Sequence, residues 1–532
     1  MCKVRDTDLM QCDTVRPQCG NCIKRRQVCP GYANAFENVH RNQNHVVRAR
    51  VEQQTHRRKN PASADVVHDS QSLGSPSTSS SPEDTTIALI IWPAMPKNLG
   101  TSALDFFFAH YTRERGNRTA CGWLEYLPEM YLAVNHDSPL ALATTALAVN
   151  LVMLWSHQGC DTNEARSFYV KAVSSTKQAI VDPRSNTTDE LLMTVFVLQF
   201  FDVLCARYRN ERPSRTHRQG VQALLKHRGL LNFRTTLAKR MVLALRSIIA
   251  HQALNMHNYV DINSEFWKDY KPMPTSPEIE LVQIEVELAN LRSMFTQLRY
   301  LLTGHAPNHK ALVPLLEGAL AIDARLKQWR ASVPQSWHPV RVHRDNVAKS
   351  IVDAGFYGTT CVVYLDTSIA HIFDFYRRLH VNVLVLMYQF HQAFADSAVE
   401  VAISTGEEIQ TAIQQLVDDI CASVPFHLGD LTLPTNPVHC HEVQYPVAVI
   451  EKVYDNFANG VSSRATMPAS PADHAREAVL SAGWFLICPL NTVRALIENA
   501  GSGLRLREGQ LDWLDGQIKR LQTIYLFPAP VW

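Results

Sequence analysis

The sequence predicts an all-α protein built from a small cysteine-rich N-terminal module, a disordered linker and a large helical domain. Three observations carry this expectation. Downstream of about Ile90 apolar residues recur at helical spacing, with no sustained period-2 alternation. Five of the twelve cysteines fall between Cys2 and Cys29. Between these regions lies a stretch with almost nothing large and apolar to offset the entropy of ordering it. At 532 residues the chain exceeds one ordinary core, and 46% hydrophobic with 19% charged residues is a globular composition. The divisions expected are 1–30, 31–60, 61–89 and 90–532.

The head is basic although the chain is nearly neutral. A formal charge of +2 argues for no global field, yet residues 1–60 hold twelve Lys/Arg against five acids, a local +7. The polar N-terminus lacks the apolar segment of a secretory signal, which points to a reducing compartment. There, cysteines at C-x2-C spacing bind zinc, because thiolates about 2.3 Å from the ion close a tetrahedral site that serves so short a segment as its core. A redox C-x2-C at Cys19 and Cys22 is disfavoured, since no βαβ pattern surrounds it.

The run CDTVRPQCGNCIKRRQVCPGY, Cys12 to Tyr32, resembles the second part of the fungal binuclear zinc cluster, C-x2-C-x6-C-x6-C-x2-C-x6-C, and fits without a gap from Cys12 to Cys29. The resemblance implies two Zn2+ ions held by Cys2, Cys12, Cys19, Cys22 and Cys29, with Cys2 and Cys19 bridging. It also implies DNA as partner and the nucleus as location. Residues 1–11 depart from the pattern. Arg5 stands where the second cysteine belongs, and a guanidinium cannot ligate zinc, so one ion or none is the alternative. Asp6 and Asp8 occupy the stretch that is Arg/Lys-rich in the family, where carboxylates repel phosphate. Divergence and a misassigned first exon both explain this; the abrupt break at Cys12 favours the second.

Lys24, Arg25 and Arg26 lie between the fifth and sixth cysteine positions, where phosphate contact is expected; the bland reading is a solvated charge run. Arg48 and Arg50, then Arg57, Arg58 and Lys59, add backbone contacts or an import signal, or else form a disordered basic tether. The linker follows, Pro61 to Asp84 reading PASADVVHDSQSLGSPSTSSSPED.

In the body, Ser138-Pro139 marks a helix start with proline at the first helical position, and Thr187 with Glu190 offers a capping box. Helical patterns fill Gln219 to Lys226, Thr235 to Met256, Glu278 to Leu302, Asn308 to Arg330, Asn382 to Ala395, Thr405 to Ser423 and His474 to Ile487. Pro139 to Trp155 and Leu191 to Ala206 are very apolar, but their length and the polar Asn150, Gln199 and Asp202 favour buried core helices over membrane spans.

From Leu104 to about Leu230 the chain resembles the fungal-specific transcription-factor domain, carried by His217-Arg218-Gln219-Gly220-Val221-Gln222-Ala223-Leu224-Leu225 and by Arg228-Gly229. SVPFHLG (Ser423 to Gly429) and AGWFLICPL (Ala482 to Leu490) add further echoes. Read physically, His217 is a helix-start or core histidine, Gly220 permits close helix packing, and Pro425 ends the helix that Thr405 begins.

No phosphate-loop, dinucleotide, zincin or nucleophile-elbow motif occurs, so the chain is not expected to be an enzyme. Ser174-x-x-Lys177 lacks its partner motifs. His439-Cys440-His441-Glu442 is a weak metal candidate, because consecutive side chains cannot all face one ion. The expectation is a DNA-binding regulator of a metabolic or secondary-metabolite gene set; the alternative is a co-regulator acting through the helical body alone. A homodimer, a small-molecule effector or a co-regulator are partners to consider; a membrane is not.

Overall fold

The computed structural model describes residues 99–112, 122–156, 160–211, 213–214, 216–264, 266–267, 276–301, 309–395, 404–435, 442–446, 470–499 and 503–526. The head, basic segment and linker expected over 1–89 lie outside the described residues. Within them the body is α-helical, as its periodicity predicts, apart from one two-stranded antiparallel sheet.

A first set of helices comprises α1 (Leu99–Tyr111), α2 (Leu127–Leu132), α3 (Pro139–Trp155), α4 (Asn163–Val181), α5 (Asp189–Tyr208), α6 (Thr216–Arg228) and α7 (Thr236–Met256). α3 and α5 are apolar nearly all round, which suits only the middle of a bundle. α3 accordingly packs against α1, α4 and α5. Ser138 caps α3, its Oγ accepting from the Ala141 N–H at 3.1 Å, with Pro139 at the first position. At α5 the cap is Thr188, one residue later than the Thr187–Glu190 box predicts; its Oγ1 accepts from the Leu191 N–H at 3.2 Å. By length and apolarity α5 could cross a membrane, but 72% of its most apolar window is buried in the bundle.

The second set comprises α8 (Pro277–Leu301), α9 (His309–Ser332), β1 (Val340–His343), α10 (Lys349–Gly355), β2 (Thr360–Val363), α11 (Thr367–Phe394), α12 (Gly406–Leu428), α13 (Pro471–Glu477), α14 (Gly483–Asn499) and α15 (Gln510–Tyr525). β1 pairs with β2 from Val340 opposite Val363 to His343 opposite Thr360. These four-residue strands are too short for an alternation to show in the sequence. A reciprocal capping box starts α12, where Thr405 Oγ1 accepts from the Glu408 N–H and Glu408 accepts from the Thr405 N–H.

Each set has its own hydrophobic core, and α7 belongs to both. Met241, Val242 and Leu245 face the first core; Ala250, Ala253 and Leu254 face the second. Trp155, Tyr208, Ile249 and Trp484 pack against both, so a seam runs past the middle of α7.

Two sequence expectations need correction. Pro425 does not end α12: it sits in the last turn, and the helix continues to Leu428 before Gly429 closes it. Gly429 adopts φ +51°, and a Cβ there would stand 2.0 Å from the Gln444 carbonyl oxygen, so this turn admits only glycine. Gly220 is not a packing requirement, since a Cβ would meet Val195 Cγ1 at an ordinary 3.6 Å.

These two glycines give opposite expected outcomes in urea unfolding. Gly429→Ala should lower stability by about 3 kcal/mol or more, through backbone strain and collision. Gly220→Ala should raise it by roughly 0.5–1 kcal/mol, because alanine restricts the unfolded chain and fits the helix. Equal effects would show that neither environment is as described.

Candidate functional site

None of the predicted zinc ligands (Cys2, Cys12, Cys19, Cys22, Cys29) and none of the predicted DNA contacts (Lys24, Arg25, Arg26, Arg48, Arg50, Arg57, Arg58, Lys59) lies among the described residues. Of His439-Cys440-His441-Glu442 only Glu442 does. Among the described residues no group of three or more His, Cys, Asp or Glu could hold a metal ion.

The His217 to Gly229 signature can be followed in full. His217, in the first turn of α6, donates from Nε2 to the Tyr169 hydroxyl at 2.8 Å, and that hydroxyl donates to Asp202 Oδ1 at 2.8 Å. Burial holds the ring below its ordinary pKa against the pull of Asp202, so a neutral imidazole ties α6 to α4 and α5. At the other end of α6 the buried Arg228 donates to Asn232 Oδ1 at 3.0 Å, to the Thr188 carbonyl and to the Asp189 carboxylate. It thus clamps the start of α5. Both motif residues hold helices together.

A second polar cluster lies on α11. Asp374 accepts from Arg377 Nη1 at 2.8 Å, His427 Nε2 at 3.0 Å and Ser423 Oγ at 3.3 Å. Burial would raise this carboxyl's pKa, but His427 and Arg377 outweigh it and hold it low. Serine, histidine and aspartate meet here without forming a nucleophilic triad. The hydroxyl is bonded to the carboxylate rather than to the imidazole, and the His427 and Asp374 side chains are 0% and 1% exposed. The SVPFHLG echo is therefore the buried partner of α11. Nearby, His474 Nε2 donates to the Phe426 carbonyl at 2.9 Å, and burial pushes this histidine down to about 3.

The third cluster sits at the seam and is partly open to solvent. Cys488 Sγ on α14 is 3.5 Å from His251 Nε2 on α7. His251 Nδ1 is 3.4 Å from Glu285 Oε1 on α8, and Glu285 pairs with Arg378 on α11. The sequence reading passed over this group. Cys488 and His251 are 237 positions apart, and no local spacing relates residues on four helices.

With this geometry in view, the comparisons with known proteins can be placed. Residues 117–311 match the family model of the fungal specific transcription factor domain. No curated protein and no solved structure matches the chain. The fungal specific transcription factor domain supports a transcription regulator rather than an enzyme. Its matched segment runs from before α2 to the start of α9, taking in the His217 signature, the whole of α7, and His251 and Glu285 at the seam.

His474 makes the body acid-sensitive in a defined window. Its folded pKa of about 3 lies below the unfolded value of about 6.5, so between them only the unfolded chain takes the proton. The contribution is intact above about pH 6.5 and is lost as pH falls towards 3, at up to about 1.4 kcal/mol per unit. His474→Gln, which keeps a donor for the Phe426 carbonyl, should remove about one linked proton from the pH dependence of urea unfolding over this range. An unchanged slope would place the histidine's proton elsewhere.

Proposed function

We propose that this chain is a DNA-binding transcription regulator of RNA polymerase II genes, acting in the nucleus through its cysteine-rich head under control of the helical body. One observation carries the reading: the fungal specific transcription factor domain at 117–311 follows, in the same chain, a segment from Cys12 to Cys29 with the third-to-sixth cysteine spacing of a binuclear zinc cluster. In this reading Cys2, Cys12, Cys19, Cys22 and Cys29 are the zinc ligands. Lys24, Arg25 and Arg26 contact phosphate, and Arg48, Arg50, Arg57, Arg58 and Lys59 extend the basic track. Pathway-specific control of a metabolic or secondary-metabolite gene cluster is its narrower form.

A second reading is a co-regulator that acts through the body without touching DNA. Arg5 at a ligand position and Asp6 and Asp8 in the expected reading segment favour it. The two separate in one set of measurements on the full chain: bound zinc per chain, and binding to duplexes selected from a random pool as salt is varied. The regulator reading expects at least one zinc and an affinity that falls linearly with salt on logarithmic axes. Replacing Lys24, Arg25 and Arg26 together by Ala should reduce that slope by about 2–3, roughly one for each phosphate contact. Less than one zinc with no salt-dependent binding would select the co-regulator.

A further inference from the structure

Among the thiols of the described residues, Cys488 has surroundings of a distinct kind. Cys361 and Cys421 are closed off in the second core, and burial pushes the Cys361 thiol up to about 12. Cys205 is buried in the first core, while Cys160 is half-buried beside it, its Sγ 3.8 Å from the Cys205 carbonyl, and is held down at about 7 chiefly by the Cys205 side chain. Cys488 is half-buried against His251, whose side chain is 37% exposed, so solvent reaches the pair from the His251 side.

The charges around this pair come from every element packed on it. Arg207 reaches in from α5, its guanidinium 5.4 Å from the Trp484 ring centroid. His251 comes from α7, Glu285 from α8 and Arg378 from α11. Asn255, one turn along α7, has its side-chain nitrogen 3.1 Å from His251 Nε2; facing a protonated ring, the amide turns over to present its oxygen as acceptor. Thr492 Oγ1 lies 3.8 Å from the sulfur. Two cations and a histidine thus face one thiol, and a single carboxylate balances Arg378 and His251 from behind. The set is not saturated, for Glu285 Oε2 and Arg378 Nη1 are buried without a hydrogen-bond partner.

The consequence for the thiol follows from the competition of these effects. Burial opposes the thiolate, but His251 and Arg378 outweigh it and hold Cys488 down at about 6. Burial opposes the imidazolium as well, but Cys488 and Glu285 hold His251 up at about 9 against Arg378. Between these values the pair is thiolate and imidazolium. A metal ion is not the natural occupant, since these residues do not form a cluster able to ligate one.

We propose that Cys488 is a modification site, a thiolate partnered by the His251 imidazolium that adds to small α,β-unsaturated carbonyl compounds. Trp484, one helical turn before Cys488 on α14, packs against Tyr208 and Tyr525 and holds the Arg207 guanidinium over its ring, a fixed cation near the thiolate that can also pair with a developing enolate oxygen. In the reaction the Cys488 sulfur lone pair forms a bond to the β-carbon. The C=C π pair moves to give the enolate, and the proton leaves His251 Nε2 for the α-carbon. One S–C bond and one C–H bond replace one π bond and one N–H bond, with no change of redox state, and His251 regains its proton from water at its exposed edge. The inference stands apart from the DNA-binding reading, because it concerns only the seam.

The test is peptide-resolved mass spectrometry of the full chain treated with acrylamide from pH 6.5 to 8.5. An ordinary thiol with a pKa near 8.5 becomes about fifty-fold more ionised over that range, whereas one near 6 changes less than two-fold. Absolute rate discriminates less. At pH 6.5 the roughly eighty-fold larger thiolate fraction is offset about ten-fold by the lower nucleophilicity of a low-pKa thiolate. The expected result is a Cys488 adduct whose rate varies less than two-fold, beside reduced glutathione whose rate climbs with pH. Cys488→Ser should remove that adduct while urea unfolding shows the chain still folded. His251→Gln should restore a climb of ten-fold or more. A climb of ten-fold in the unsubstituted chain, no Cys488 adduct under conditions that label glutathione, or a profile still flat in His251→Gln would each overturn the proposal.

Discussion

Helix α11 must bury three charged residues, a histidine and an amide, and the second half of the body is arranged around that requirement. Asp374, Arg377, Arg378, His380 and Asn382 are all buried on a helix of 28 residues. An unpaired charge in such surroundings costs several kcal/mol, so each needs a partner supplied by geometry. Ser423 and His427 of α12 take Asp374; Glu285 of α8 takes Arg378; Asp323 of α9 takes His380 at 2.8 Å; and Arg292 of α8 donates to Asn382 at 2.7 Å. Three neighbouring helices are thereby fixed in register against one. Such pairs add little net stability over well-packed apolar groups. Breaking one strands its partner at about 3–5 kcal/mol, which penalises any misplaced packing of α8, α9 or α12.

The same requirement explains what the sequence disclosed and what it hid. Helices with an apolar majority, such as α3 and α5, stood out, and the Ser138-Pro139 start lies where its chemistry places it. The first half of α11 did not. Asp374-Phe375-Tyr376-Arg377-Arg378-Leu379-His380 reads as a surface stretch when charge is taken as a sign of exposure, so the pattern gave only Asn382 onward. Partners 49 to 93 positions away make these residues core, and no window of local periodicity contains them. The shift of one residue at α5 is a smaller case. Thr187 and Thr188 are equally good caps by composition, and only the Arg228 clamp on the Thr188 carbonyl and Asp189 distinguishes the second. Chemistry at the seam was hidden for the same reason as α11, since Cys488 and His251 are related only through the fold.

The residues of the His217 to Gly229 motif lie away from the partly open cluster at the seam. His217 and Arg228 spend their polar groups on α4 and α5, and the exposure of their side chains is 15% and 2%. Their role is to orient helices around α5. By contrast, Cys488 belongs to one of the weaker echoes, AGWFLICPL, where its thiol meets His251 and its neighbour Trp484 meets Arg207. The signature marks what holds the fold, whereas the Cys488–His251 pair lies where the two cores meet and where His251 is 37% exposed.

That seam also bears on what the matched segment can be. Residues 117–311 contain α7 and α8 but stop at the start of α9. Leu281, Ile284 and Leu288 of α8 are fully buried in a core completed by α9, α11 and α12, and Glu285 between them is neutralised by Arg378 of α11. The first core has a similar debt upstream, for Ala103 and Phe107 of α1 are buried in it and lie before residue 117. A fragment cut at the limits of the match would therefore expose apolar faces at both ends and leave Glu285 without its cation. The recognisable domain is a stretch of sequence inside a larger folding unit, and control that passes through α7 must involve both cores, since that helix carries side chains into each.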